Sequence, residues 1–356
     1  MKTPYFIVYP AKIVENYRLM SSVLPVDRLY YATKPNGEAP TLSALIDEGA
    51  NFELVCADEM EQLLSLGVKP EDMICSLPVK TAEEIRRMYA LGCRYFVYDS
   101  ERQYEMLCRL SPEAKKIVRI NMRFTSPHDL VYGLYPEEIQ EMAQRGMLPD
   151  GYTFHLAERD HWPEKLDAIF DELEKLISAR GDTAPLILNL GGHYVLPQED
   201  TQGALKKLRE RVTRLKALRP DLTVIAEPGN CIVNSAYGMV TTVTETRRDD
   251  WVFTDATKNI IRNKFVDINN NLISDKEVHV EPLGEVRKCA PKRYYLLDSL
   301  CSGNIICAPV LDFEPQVGDR LIIREVGAYS ICFANRFHWA GKPEITVASD
   351  AAGLDH

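Results

Sequence analysis

Lys34, His155, the pair Gly191-Gly192 and Glu227 are the residues whose types and settings could do chemistry in this chain. Lys34 closes the apolar and aromatic run Leu29-Tyr30-Tyr31-Ala32 and precedes the turn formers Pro35, Asn36 and Gly37. A lysine at the end of a core strand either snorkels its amine to water or, where desolvation lowers its pKa, becomes a nucleophile able to form a Schiff base. His155, in the run Tyr152–Leu156, is either a satisfied core histidine or a planar group that can lie on a ring. Gly191-Gly192 is either a plain turn or a cradle of main-chain N–H groups for a phosphate. Glu227 ends an apolar run and needs a cationic or hydrogen-bonding partner, either an arginine or the protonated nitrogen of a ring.

These residues must be held by the elements around them, and those elements alternate. Strands are expected at Phe52–Cys56, Met73–Leu77, Tyr95–Tyr98, Lys116–Phe124, Tyr152–Leu156, Leu186–Leu190 and Leu222–Ala226, with the Lys34 strand before them. Helices fall between them, at Thr41–Glu48, Glu137–Arg145, Pro163–Arg180 and Gln202–Leu218 among others. Asp58-Glu59-Met60-Glu61, Thr81-Ala82-Glu83-Glu84 and Ser100-Glu101-Arg102-Gln103 read as capped helix starts. Eight strands alternating with helices match a (β/α)8 barrel, which places its active site at the C-terminal strand ends. Lys34, His155, Gly191-Gly192-His193 and Glu227-Pro228-Gly229-Asn230 all fall there.

After about Met239 the pattern changes to strand-like runs at Met239–Thr246, Trp251–Thr254, Tyr294–Leu297, Arg320–Ile323 and Tyr329–Ala334. The expected organisation is a barrel over residues 11–235 and an all-β domain over 236–356, which the strand Pro4–Tyr9, in residues 1–10, could join.

Composition narrows the function classes. The chain has 356 residues, a formal net charge of -10 and no basic run, which argues against a nucleic-acid partner. No apolar run approaches a membrane span and the N-terminus lacks signal-peptide shape. Nine cysteines without a CxxC pair suggest a reduced, cytoplasmic protein, and the seven histidines show no zinc spacing.

A lysine, a phosphate cradle, a carboxylate and a stacking group are together what pyridoxal phosphate requires. The motifs also carry a resemblance. Tyr31-Ala32-Thr33-Lys34-Pro35-Asn36, Phe154-His155, Asn189-Leu190-Gly191-Gly192, Glu227-Pro228-Gly229 and Gly318-Asp319 with Gly327-Ala328-Tyr329 resemble, in order, the motifs of the fold-type III pyridoxal-phosphate decarboxylases. That family includes the ornithine, arginine, diaminopimelate and carboxynorspermidine enzymes. The resemblance implies an alanine racemase-like fold, a Schiff base at Lys34, His155 stacked on the cofactor ring, Glu227 on the ring nitrogen, and Gly191, Gly192, Gly229, Asn230 and Tyr329 around the phosphate. It also implies a head-to-tail homodimer with shared active sites, and loss of the α-carboxylate of an amino acid as CO2, with Cys301 or Lys34 returning the proton.

The departures concern the substrate. His193 stands where the family has a third glycine, and Asn230 where an arginine usually follows Glu-Pro-Gly. In Leu300-Cys301-Ser302-Gly303-Asn304, Cys301 matches the family's cysteine with a one-residue slip, whereas an ungapped match puts Leu300 at the cysteine position and Cys301 at the acidic one; Ser302 and Asn304 become substrate candidates. Arg262 falls where a diaminopimelate enzyme grips a carboxylate, and Asp267 where an ornithine enzyme grips the distal amine; either is equally read as a solvated loop charge. His155-Leu156-Ala157-Glu158 and Asn189-Leu190-Gly191-Gly192 look nearest the carboxynorspermidine branch, while Ala32-Thr33-Lys34-Pro35-Asn36 does not, which suggests a divergent member acting on a polyamine precursor or an aminocarboxypropyl group. The rivals are an amino-acid racemase, which usually pairs the ring nitrogen with arginine, and a non-catalytic homologue that acts as a binding protein.

Overall fold

The apolar runs that alternate with helices close on themselves. The computed structural model describes residues 1–124, 131–156, 160–261, 264–267, 269–273, 278–301, 303–335 and 342–348. It has two compact units, one of Asn16–Lys34 and Leu45–Cys231, the other of Met1–Glu15, Pro35–Ala44 and Ile232–His356. Strand β1 (Tyr5–Val8) lies in the second unit. The first holds β2 (Arg28–Ala32), β3 (Asn51–Leu54), β4 (Met73–Cys75), β5 (Tyr95–Tyr98), β6 (Lys115–Arg119), β7 (Gly151–Thr153), β8 (Ile187–Asn189) and β9 (Thr223–Ala226). These strands form a closed parallel barrel in chain order, sealed by the pairs Arg28↔Ile225 and Leu29↔Ala226.

Side chains alternate across a strand, so each apolar run serves two layers. Tyr30, Ile74, Val97, Ile117 and Ile225, from β2, β4, β5, β6 and β9, pack into one buried cluster inside the barrel. Their neighbours Tyr31, Phe52, Phe96 and Val118 are equally buried. Of the expected helix starts, Thr81 and Ser100 do cap: their side-chain oxygens accept the N–H of Glu84 at 3.1 Å and of Gln103 at 3.2 Å. The Asp58 box does not form, because the helix starts earlier, at Ala57, with Cys56 as cap residue. Asp58 therefore lies inside the first turn, and Glu59 accepts the Val55 N–H at 2.8 Å instead. Strand β6 stops at Arg119, short of Phe124, because the Asn121 side chain accepts the Arg123 N–H at 2.7 Å and turns the chain out of the ladder.

The second unit is built on β10 (Tyr237–Arg247), which pairs antiparallel with β1, with β11 (Trp251–Thr254) and with a late strand, Arg320–Arg324. Phe6, Met239 and Ile323 are buried on one face of the sheet, and Val240 and Ile322 on the other. Parallel pairing of Tyr5–Val8 with Glu344–Val347 completes that side of the sheet. The unit is β-rich rather than all-β, since Lys258–Ile261 is helical. Tyr329–Ala334 is not the expected strand. Tyr329 has φ +55 and Ile331–Phe333 forms a 3-10 turn, closed by the Phe333 N–H to the Ser330 carbonyl at 2.8 Å. An apolar alternation over so short a run does not reveal that backbone reversal. Among the described residues no helix is long and apolar enough to cross a membrane.

Candidate active site

The C-terminal ends of the barrel strands gather the candidates of the first unit. Lys34 follows β2 in a turn and is exposed. The turn carries the side chain past the end of the ladder. Glu227 follows β9 and is half-buried. Its Oε1 accepts two hydrogen bonds, one from Ser76 Oγ, just beyond β4, and one from Asn189 Nδ2, at the end of β8, at 2.6 Å. Among the described residues Oε2 accepts none. Burial pushes the Glu227 carboxyl up, while the Ser76 and Asn189 bonds and the charges of Lys34 and Arg119 pull it down.

The glycine loop after β8 is folded tightly against its neighbours. Gly191 has φ +66, and a Cβ there would overlap the Phe154 carbonyl oxygen. At Gly192 a Cβ would lie 2.6 Å from the Glu227 carbonyl oxygen. Both positions therefore require glycine for close approach. Their amides differ: the Gly191 N–H is spent on Asn189 Oδ1 at 2.9 Å, whereas among the described residues the Gly192 N–H has no acceptor. His193, with φ +68, extends the loop, and its ring meets His155 edge-on, 6.2 Å between centroids. His155 lies two residues beyond β7, which ends at Thr153. Gly229 is buried, and Asn230 opens the short helix Asn230–Val233.

Two charged residues of this unit lay outside the sequence-derived set. Glu53, inside β3, is only 5% exposed. Burial raises its carboxyl well above the ordinary range, the Glu227 charge adds to that, and Lys34 opposes it. A charged residue inside the apolar run Phe52-Glu53-Leu54 was the available signal. Lys80 is also buried and donates to the carbonyls of Leu77 (2.6 Å), Pro78 (3.3 Å) and Val97, pinning the ends of β4 and β5. Burial lowers its pKa.

The remaining candidates belong to the second unit. The Tyr329 N–H donates to the Pro35 carbonyl at 2.9 Å. Asp267 accepts the N–H groups of Asn269 and Asn271 at 2.8 Å on one oxygen and Asn271 Nδ2 at 2.8 Å on the other, so its carboxylate shapes its own turn. Asn304 Nδ2 bonds buried Asp298 at 2.9 Å and braces the loop that presents Cys301, an exposed thiol. Arg262 and Ser302 lie outside the described residues.

The family model for the pyridoxal binding domain of pyridoxal-dependent decarboxylases matches residues 10–234. The chain belongs to the pyridoxal-dependent decarboxylases. Over 359 residues it is 26% identical to the lysine/ornithine decarboxylase of Selenomonas ruminantium, covering 94% of this chain and 87% of that one. It is 25% identical to the diaminopimelate decarboxylase of Pseudomonas aeruginosa over 368 residues, 96% of this chain and 86% of that one. The solved arginine decarboxylase of Paramecium bursaria Chlorella virus, bound to agmatine, shares the fold with a TM-score of 0.81 at 18% identity, over 98% of this chain and 96% of that one. This decarboxylase is accordingly a carboxy-lyase of amino acids whose cofactor is pyridoxal 5′-phosphate. The barrel mouth fits that group. It offers an amine, a main chain stripped of Cβ atoms and, among the described residues, an N–H at Gly192 without an acceptor and a Glu227 oxygen without a donor.

Proposed function

We propose that this chain removes the α-carboxylate of an amino-acid substrate at the mouth of its barrel, with Lys34 attaching the cofactor. The observation that supports this is Glu227: a carboxylate beside the charge of Lys34, gripped on Oε1 by two donors, with Oε2 taking no donor among the described residues and so left for a ring nitrogen. A carboxylate there keeps the ring protonated, which supports decarboxylation over racemisation. When bound, the cofactor supplies a sink for the electron pair released as the Cα–carboxylate bond breaks.

The chain's own residues then have separate tasks. His155 lies against one face of the ring. The Gly192 N–H holds a phosphate oxygen, Gly191 shapes the loop, and Gly229, Asn230 and Tyr329 complete the phosphate site, as the motif resemblance supports. The Cys301 thiol or the Lys34 amine hands the proton back to Cα. Asp267, Asn304, Arg262 and Ser302 are the proposed substrate contacts. The turn bonds of Asp267 orient its carboxylate, and its pKa is lowered chiefly by the Asn271 side chain, so it stays charged toward a distal amine. The substrate is a diamine or polyamine precursor or an aminocarboxypropyl group, and His155-Leu156-Ala157-Glu158 supports a place near the carboxynorspermidine branch. The working form is a cytoplasmic homodimer with shared sites.

Two measurements test this. Borohydride treatment of the cofactor-loaded protein adds a pyridoxyl-phosphate mass to the Lys34 peptide, and the Lys34→Ala variant lacks that adduct; an adduct on another residue refutes the assignment. CO2 release is then measured from lysine, ornithine, arginine, diaminopimelate and carboxynorspermidine, with the chirality of recovered substrate. Racemisation without CO2 release overturns the activity.

A further inference from the structure

Both donors to Glu227 fall on the same oxygen, and they are not equivalent. Asn189 is fully buried and its amide is locked, because Oδ1 takes the Gly191 N–H at 2.9 Å while Nδ2 reaches Glu227 at 2.6 Å. A flip of that amide would lose both bonds. Ser76 sits one residue past β4, its own N–H anchored on the Leu54 carbonyl at 3.2 Å, and its hydroxyl supplies the second bond. No sequence motif identified above contains Ser76. The charged and titratable groups facing Glu227 are Glu53 from β3, Arg119 from β6, Lys34 after β2 and Tyr194 after β8. Glu53 works against a charge on Glu227; Lys34 and Arg119 work for it.

We propose that Ser76 is a positioning residue for the decarboxylation: its hydroxyl holds Glu227 ionised and turned so that Oε2, not Oε1, meets the ring nitrogen of the cofactor. This rests on the reading of Glu227 given above. The physical argument is that a hydrogen bond to a carboxylate favours the charged form, and it matters most where burial disfavours charge. Removing the hydroxyl leaves Asn189 alone on Oε1. The carboxyl is then protonated at higher pH and free to rotate, and the ring nitrogen loses its anionic partner over part of the working range.

The test uses the cofactor-loaded wild type with the Ser76→Ala and Ser76→Thr variants. Three readouts are taken: the pH titration of the bound cofactor's absorption spectrum, cofactor dissociation, and kcat and KM with whichever amino acid of the panel releases CO2. For Ser76→Ala the acid-side transition moves to higher pH by about one unit, and kcat falls roughly tenfold to a hundredfold while KM changes less than about twofold. Ser76→Thr, which keeps the hydroxyl, restores both. A merely structural role would instead raise KM or weaken cofactor binding while leaving the transition in place. If Lys34 carries the cofactor but Ser76→Ala keeps the wild-type transition and kcat, the inference fails and the site reading stands. If borohydride finds no adduct on Lys34, the site reading fails and the inference falls with it.

Discussion

Gly192→Ala adds one methyl group at a crowded point of the barrel mouth. The new Cβ would lie 2.6 Å from the Glu227 carbonyl oxygen and 3.6 Å from its carbon. An unstrained carbon–oxygen contact is longer by about 0.6 to 1 Å, so one segment has to move by that much. Neither moves freely. The Glu227 N–H is bonded to the Gly191 carbonyl at 2.7 Å, and the Pro228 carbonyl accepts the Ala32 N–H at 3.1 Å. Overpacking of this kind costs about 1–3 kcal/mol, and the rigid neighbours place it in the upper half of that range. Melting should fall by roughly 4 to 12 °C for a unit of this size. The shift also displaces the unspent Gly192 N–H, so cofactor affinity should drop at least about tenfold. Calorimetry and a cofactor titration by absorbance read both numbers. Gly146→Ala is the control: it has φ +85 but nothing within 4 Å, so it costs about 1 kcal/mol of backbone strain and leaves cofactor binding alone. A Gly192→Ala protein with wild-type melting and cofactor affinity would refute the close-packed cradle.

Glu53→Gln tests the buried acid through pH. The folded state raises the Glu53 pKa, so its contribution to stability is present below the ordinary glutamate value of about 4.3 and is lost as pH rises through the folded value. The amide cannot titrate, so Tm of the variant minus Tm of the wild type should increase between pH 5 and pH 8 (about 1.4 kcal/mol per pH unit at most), and a flat difference would contradict the assignment. Lys80→Met removes the amine that caps three strand-end carbonyls; it should cost about 2–3 kcal/mol in denaturant titrations with no change in cofactor affinity, and an unchanged midpoint would show that the pin is dispensable.

The barrel was legible in the sequence because parallel strands buried on both faces are short continuous apolar runs and the helices between them carry their own start signals. Thr81 and Ser100 are such signals, and both cap as their spacing implies. The motif residues were legible because each sits in an apolar run where its type is costly, as Lys34, His155 and Glu227 do. Glu53 met the same criterion yet drew no notice, since a strand interior is not where chemistry is sought, and only the packing brings it beside Glu227. Ser76 carries no signal at all: serine after a strand is ordinary, and its importance appears only when β4 and β9 are folded into one ring. The turn at Tyr329 was misread for a similar reason. Tyr-Ser-Ile-Cys-Phe alternates well enough for a strand, and the positive φ at Tyr329 that breaks it has no marker in a tyrosine.

Two carboxyl groups near each other in a low-dielectric site cannot both carry full charge, and proteins resolve the conflict by treating them unequally. Here the inequality can be traced to donors. Glu227 receives Ser76 and Asn189; the Glu53 carboxyl draws on no hydrogen bond among the described residues, and its neighbours act on it only through burial and charge. Burial raises both carboxyls, Glu53 well above the ordinary range, and only Glu227 has hydrogen-bond donors that draw it back toward the charged form. That division suits the chemistry. On the role proposed above for Glu227, the group set against a pyridine nitrogen has to stay anionic, and a second anion in β3 would compete for the positive charge of Lys34. The raised pKa of Glu53 weakens that competition. The two acids of the barrel mouth thus differ in which strand ends offer them a hydroxyl or an amide, on top of the burial that raises both.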